Sequence, residues 1–539
     1  MIRLNSSFRI MPNIHALAGF LSLMAGVRFA SVVATAPPWQ LRYADLTVSI
    51  HLDRTIVGDV RLALDRSAAA PLALDLADSM TVDSVASGSR RVGFERGRAL
   101  IRIPDTALTR VCRQRCDIRV WYHGIPSRTA FGIVDRAGTL RAASYGVPRS
   151  AREWWPTLDT PSQKMDSADI RIIVPKGIVA VSNGTLKARS ARDDGTEEFH
   201  WSERRPIYSD VISIAAADYV ERASVFKSAA GRGVPLKFFV FPEDTAKAAA
   251  DFAVVPGVLS FLESHLGPYP FSNEKYGIAE MMRPSFREHQ TVPSLGAALI
   301  TGDGSVAQVI AHEAAHQWFG NSLTVGDWSD IWLNESFAEY MAWRWVRSAR
   351  GDSAFDALWH GAADHDFALP LARADSGGFA TMFGALTFHR GPVVLLMLED
   401  LIGTKAIDAA LREYVTRNAY GRASLAEFRR AVNTASGRDL GWFFDQWTTR
   451  SGTPVVSITW SYEQSATGGR IRVTMSQPDS APPFRLVLAI RAVLANGKTR
   501  QWTTEVRQTR QEFSFHIDEK PTAVTVVTER TLIRAKAAP

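Results

Sequence analysis

Hydrophobic periodicity changes twice along this 539-residue chain, and those two changes constrain its architecture more than any other feature. From about residue 37 to 225 apolar side chains alternate, as in Leu46, Val48, Ile50, Leu52 and again Val60, Leu62, Leu64. A period of two puts one face of a strand into a core, so this stretch reads as a β domain. From about 226 to 452 the runs become helical, with Thr245 to Leu266, Val306 to Phe319, Ser336 to Ser348 and Pro392 to Ile402 as the longest. After Gly452-Thr453-Pro454 alternation returns in Phe513, Phe515, Ile517 and then Val524, Val526, with Asn496-Gly497 marking a tight hairpin turn. A chain of this length exceeds what one core organises. The expectation is a multidomain α+β protein with a β domain over 37–225, an α-rich unit over 226–452 and a small β-sandwich over 453–539.

Residues 1–36 read as an address. Arg3 and Arg9 precede the apolar run Ala16 to Val27, and Ala34-Thr35-Ala36 offers the small-x-small pattern of a cleavage site. The run falls short of the roughly 20 apolar residues that span a bilayer, which favours a cleaved signal peptide over a retained anchor. Export to the periplasm or beyond follows, with a soluble mature chain, since no later stretch approaches membrane-spanning length. Lys plus Arg is 62 against 55 Asp plus Glu, a formal +7, too slight an excess to suggest a nucleic-acid partner. Cys112 and Cys116 are the two cysteines. They exclude a disulfide scaffold and a cysteine-rich zinc module, and in an exported chain they are expected to pair.

One constellation carries chemistry. His312-Glu313-Ala314-Ala315-His316 lies inside a helical run, where residues i and i+4 share a face, so both imidazoles can meet one ion. Zinc suits two imidazoles and a carboxylate with one position left open. A third ligand must come from elsewhere, and the best candidate is Glu335, in Trp332-Leu333-Asn334-Glu335-Ser336-Phe337-Ala338-Glu339-Tyr340. Glu339, one turn further, is placed to orient a ligating histidine. Glu313 sits beside the ion without binding it, as a general base must. His265, His360 and His365 have no partner at ligand spacing and read as surface or core histidines, and most of the tryptophans read as packing.

These residues resemble the aminopeptidase N family of zinc metallopeptidases, of the gluzincin type. The resemblance rests on VIAHEAAHQWFGN (Val309 to Asn321) and WLNESFAEY (Trp332 to Tyr340). It extends to WWPTLDTPSQK (Trp154 to Lys164), VSNG (Val181 to Gly184), GPYP (Gly267 to Pro270) and WTTRSGTP (Trp447 to Pro454). It implies a saddle-like N-terminal β domain, a thermolysin-like catalytic domain and a C-terminal β-sandwich, without the family's long C-terminal helical domain before Pro539. It implies one zinc per chain on His312, His316 and Glu335, Glu313 as base and then acid, and hydrolysis of peptides at a free N-terminus.

Three positions depart from the family pattern. The amine-binding Glu of a G-x-M-E-N loop has Glu288 as its nearest counterpart, in Ser285-Phe286-Arg287-Glu288-His289-Gln290. Ser144 to Ser150 holds no Gln or Glu where the family has one, and the family's Y-x-K-G tyrosine is replaced in Phe388-His389-Arg390-Gly391. A phenyl ring donates no hydrogen bond. His389 or Arg390 is then the expected oxyanion stabiliser in an exported peptidase, while a zinc-bearing binding or interaction protein of the same fold is the alternative.

Overall fold

The computed structural model describes residues 37–146, 149–363, 367, 369–372, 383–465, 468–479 and 482–537. The leader lies outside these residues, as does His365. The N-terminal alternation builds an eight-stranded mixed sheet in which Trp39–Ile50 pairs antiparallel with Ile56–Arg66 and parallel with Ser167–Pro175. Leu46, Val48, Ile50, Val60, Leu62 and Leu64 are all buried, as their spacing requires. Leu52 is 40% exposed because the strand ends at Ile50 and the next residues form the turn. A four-stranded sheet carrying Thr139–Ser144 and Ile214–Ala217, a three-stranded sheet and a two-stranded one make up the other sheets of this part of the chain.

The second unit begins earlier than its helices do. Val220–Lys227 pairs along its length with Gly233–Val240 in a five-stranded sheet that also holds Tyr276–Met281, Ser294–Gly296 and, at its edge, Phe286–Arg287. A boundary at 225 therefore cuts a strand, and the change of sheet falls between Ala217 and Val220. Periodicity marks a strand but not the sheet that it joins.

The helices α1 (Val255–Leu266), α2 (Ala307–Ala315), α3 (Trp332–Arg350) and α4 (Gly391–Ile402) share one apolar core with this sheet. Pro242–Leu266 is long and apolar enough to cross a membrane, contrary to the expectation that no such run follows the leader. Its residues Val255, Val258, Leu259, Leu262 and Leu266 are buried in the core, so it is accounted for as a core segment, and a turn at Phe252–Val254 breaks it ahead of Pro256. One apolar core fills the N-terminal β domain. A second runs unbroken from these helices into the C-terminal strands, joining Leu395 and Trp447 to Ile471, Val473, Leu488 and Ile490. Those strands form a four-stranded and a three-stranded sheet, and Val493 pairs with Thr499 across the Asn496-Gly497 turn, where Gly497 has φ +78°. Cys112 and Cys116 form a disulfide.

Candidate metal centre

Helix α2 lies against α3, and the contact sets the site. His312 and His316 share one face of α2, and Glu335 enters from the first turn of α3, all three buried. The two Nε2 atoms stand 3.0 Å apart, and Glu335 Oε2 is 3.5 Å from His312 Nε2 and 3.2 Å from His316 Nε2. Ligands at zinc's bond lengths in a tetrahedron lie roughly 3.3–3.6 Å from one another. The donor set therefore has the size as well as the chemistry of a zinc site.

The far sides of both imidazoles reinforce this. His312 Nδ1 donates to Glu339 Oε2 at 2.7 Å, and His316 Nδ1 donates to the Phe319 carbonyl at 2.9 Å. With the proton on Nδ1, both Nε2 lone pairs point at each other and at a carboxylate, an arrangement that a cation relieves. Glu339 is itself fixed by Gln308 Nε2 at 3.0 Å and Trp343 Nε1 at 2.6 Å. Gly320, at φ +115°, lets the loop after α2 turn beneath His316, where a side chain would crowd Nδ1.

Glu313 stands apart from the three ligands. It is buried, its Oε2 has no hydrogen-bond partner among the described residues, and burial pushes its carboxyl up to about 7 against the pull of His312 and His316. Glu288 is half-buried at the same site: burial raises its carboxyl, the charge of Glu335 adds to this, and His316 opposes it. Asn321 Nδ2 donates to the Glu288 carbonyl at 2.7 Å, tying this edge segment to the loop after α2. Phe286 and Phe388 flank His312 with ring centroids at 6.1 and 5.9 Å.

Arg390 requires a correction. Its side chain is fully buried away from solvent, with Nη1 on the carbonyls of Phe367, Leu369 and Gly452 and Nη2 on those of Trp447 and Arg450 at 2.8–3.5 Å. Those donors are spent holding the step into the C-terminal sheets, so Arg390 is not an oxyanion donor. Of the Phe388-His389-Arg390 segment it is the Phe388 ring that meets a zinc ligand, with half-buried His389 next to it. His265 pairs with Asp408 at 3.1 Å and His360 stacks on Trp359, as histidines without a metal role do.

Sequence reasoning missed three participants. Lys164 Nζ donates to the carbonyls of Asn321 and Ser322, both at 2.6 Å, and so clamps the loop after α2 from the N-terminal domain. Arg287 donates through Nε to the Tyr145 carbonyl and through Nη1 to Ser285 Oγ at 3.0 Å. It occupies the region where the family's Gln or Glu is missing. The Tyr208 phenol is buried, and the nearby charges of Glu288, Asp210 and Glu335 add to the rise that burial causes. Lys164 lay inside the WWPTLDTPSQK motif, but its sequence neighbours Ser162, Gln163 and Asp166 are polar, so nothing local marked it as a buried charge.

Two sequence matches agree with this geometry. Residues 41–209 match the Peptidase M1 N-terminal domain and residues 294–447 the Peptidase family M1 domain, together more than half of the chain. Tricorn protease-interacting factor F2 of Thermoplasma volcanium is 26% identical over 66% of this chain and 46% of its own length. Human aminopeptidase N is 27% identical over 57% of this chain and 35% of its own length. The chain thus spans half or less of those two relatives. A solved aminopeptidase A of Legionella pneumophila, in complex with aspartic acid, superposes with a TM-score of 0.82 at 17% identity, covering 94% of this chain and 60% of that one. With the ligand triad, its supporting glutamate and both family domains in order, the chain belongs to peptidase family M1.

Proposed function

We propose that this protein is an exported zinc-dependent aminopeptidase. The carrying observation is Glu313, a buried carboxylate beside the three ligands with an oxygen that no group among the described residues satisfies. A site that merely stored a metal would gain nothing from it. Zinc, when bound, supplies the Lewis acidity that polarises a scissile carbonyl and acidifies a water. Glu313 accepts the proton released there and returns it to the departing amine. Glu288 receives the free amino group of the substrate, held in place through its carbonyl by Asn321. The edge strand Phe286–Arg287 offers backbone groups to an extended peptide. Phe388 brings no donor to the carbonyl oxygen, so that role falls to His389 or to the Tyr208 phenol. Export is supported by the apolar leader and by the Cys112–Cys116 disulfide, which suits an oxidising compartment.

The Phe388 substitution favours a second reading, a zinc-bearing interaction protein with little turnover. A panel of free and N-acetylated aminoacyl substrates decides between them. Cleavage confined to free amines is expected, and Glu313→Gln should keep its zinc while turnover falls at least about 10²-fold. Silence on every substrate with zinc at full occupancy would refute the peptidase.

A further inference from the structure

A cleft of about 1520 Å³ opens between the N-terminal β domain and the Gly326 loop that leads into α3. It contains none of the zinc ligands. Its described walls carry five arginines, Arg42, Arg66, Arg113, Arg115 and Arg422, against one acid, Asp65. Two of the five are neutralised locally, Arg42 by Asp65 at 2.8 Å and Arg66 by Asp105. Arg115 lies 3.8 Å from the same Asp65, with its side chain 92% exposed. The Arg113 and Arg422 side chains meet no carboxylate or other acceptor among the described residues. Three guanidiniums thus line one cleft with a single carboxylate, already shared with Arg42, near them.

Like charges gathered in a concavity raise its potential and lower the stability of the empty state, and the group that reverses this is an anion. The disulfide adds a second observation. Cys112–Cys116 closes a ring of only five residues, Cys-Arg-Gln-Arg-Cys, too short to stabilise the fold much by loop closure. Arg115 is already set by its ladder pairing with Asp65, and the disulfide closes the backbone around Arg113, so that a ligand bears less of the cost of ordering the loop. Guanidinium forks match the oxygens of phosphate or sulfate groups in pairs. The room available exceeds that of a single such group.

We propose that this cleft binds a multiply charged phosphate- or sulfate-bearing anion through Arg113, Arg115 and Arg422. Two of these arginines come from the N-terminal domain and the third from the helical unit, so the bound anion ties the two together beside the segment entering α3.

The test is calorimetric titration of the zinc-loaded full chain with sucrose octasulfate. Saturable binding that weakens with added NaCl is expected. The dissociation constant should rise roughly tenfold or more in Arg113→Ser and again in Arg422→Ser, with zinc content and aminoacyl hydrolysis unchanged. Cys112→Ser/Cys116→Ser keeps every arginine and should weaken binding severalfold through loss of loop order alone. Wild-type affinity in the Arg113→Ser/Arg422→Ser double variant, as simple contact with the zinc would give, overturns the proposal, and so does absence of binding at low salt. Vesicles of phosphatidylglycerol and phosphatidylcholine in equal parts distinguish two sources of the same chemistry. Co-sedimentation that the double variant loses assigns the cleft to a lipid headgroup, and octasulfate binding without co-sedimentation assigns it to a soluble anion.

Discussion

Lys164→Met separates the cost of a buried charge from the value of the bonds that it makes. The Lys164 side chain is buried, and burial pushes its ammonium down from an ordinary 10.5 to about 7, with Glu203 opposing. At 1.36 kcal/mol per pH unit of displacement, keeping the charged form inside costs about 4–5 kcal/mol at pH 6. The methionine variant escapes this cost but leaves the Asn321 and Ser322 carbonyls without their donor, at about 1–3 kcal/mol each. Near pH 6 the two effects offset, and the variant should be about as stable as the wild type. Above pH 7 the folded lysine releases its proton while the unfolded chain keeps it up to about 10.5. The unfolded state then binds more protons, so wild-type stability rises with pH, and the neutral amine still donates both bonds. By pH 9 the wild type should lead the variant by about 2–3 kcal/mol more than it does at pH 7. Urea melts of both proteins at pH 6, 7 and 9 measure the difference. A gap that does not change with pH would refute the argument. The same variant loosens the loop whose Phe319 carbonyl orients His316 and whose Asn321 holds Glu288, so kcat/KM on aminoacyl substrates should fall while zinc stays at one per chain.

Other substitutions probe separate parts of the site. Glu339→Gln keeps the contact to His312 Nδ1 but removes the charge, and should weaken zinc binding by about 10–100-fold in competition with a chelator. Phe388→Tyr should raise kcat with KM nearly constant, whereas Tyr208→Phe should lower it if that phenol already supplies the donor; no change in either variant would move oxyanion stabilisation to His389. Arg390→Met should remove the guanidinium from five carbonyls, of which that of Phe367 keeps the Gly452 N–H, and lower stability by about 3 kcal/mol or more, read in thermal melts, with kcat per folded molecule nearly unchanged.

What the sequence revealed and what it hid divide by distance along the chain. His312 with His316, and Glu335 with Glu339, were legible as pairs because helical spacing puts each pair on one face, while their meeting was legible only through the family motif. The strand alternations were legible for the same reason, apart from their ends: Leu52 fits the pattern yet lies past the last ladder residue. Lys164 contacts a carbonyl 157 residues away, and Arg390 reaches Arg450 across 60. No local period announces such a contact. Arg390 misled because it lies two residues from Phe388, which does face the ligands, and positions two apart in a helical segment point to nearly opposite sides.

The replacement at position 388 can now be read as a change in chemistry rather than in position. Two contacts fix the segment that carries it. A Cβ at Gly391 would overlap Ser336 Oγ, so glycine allows α4 to start against α3, one residue from Glu335. Ser336 Oγ in turn donates to the Thr387 carbonyl at 2.6 Å, and Arg390 ties the other side to the C-terminal step. None of these contacts involves the ring at 388, which is thereby held 5.9 Å from the His312 ring by its neighbours. Because the anchors of the segment do not use the ring, a hydroxyl added to it is expected to leave those anchors intact. That is why Phe388→Tyr tests the mechanism more cleanly than any deletion: a gain of activity at unchanged stability would mean that the pocket was already shaped around the missing donor.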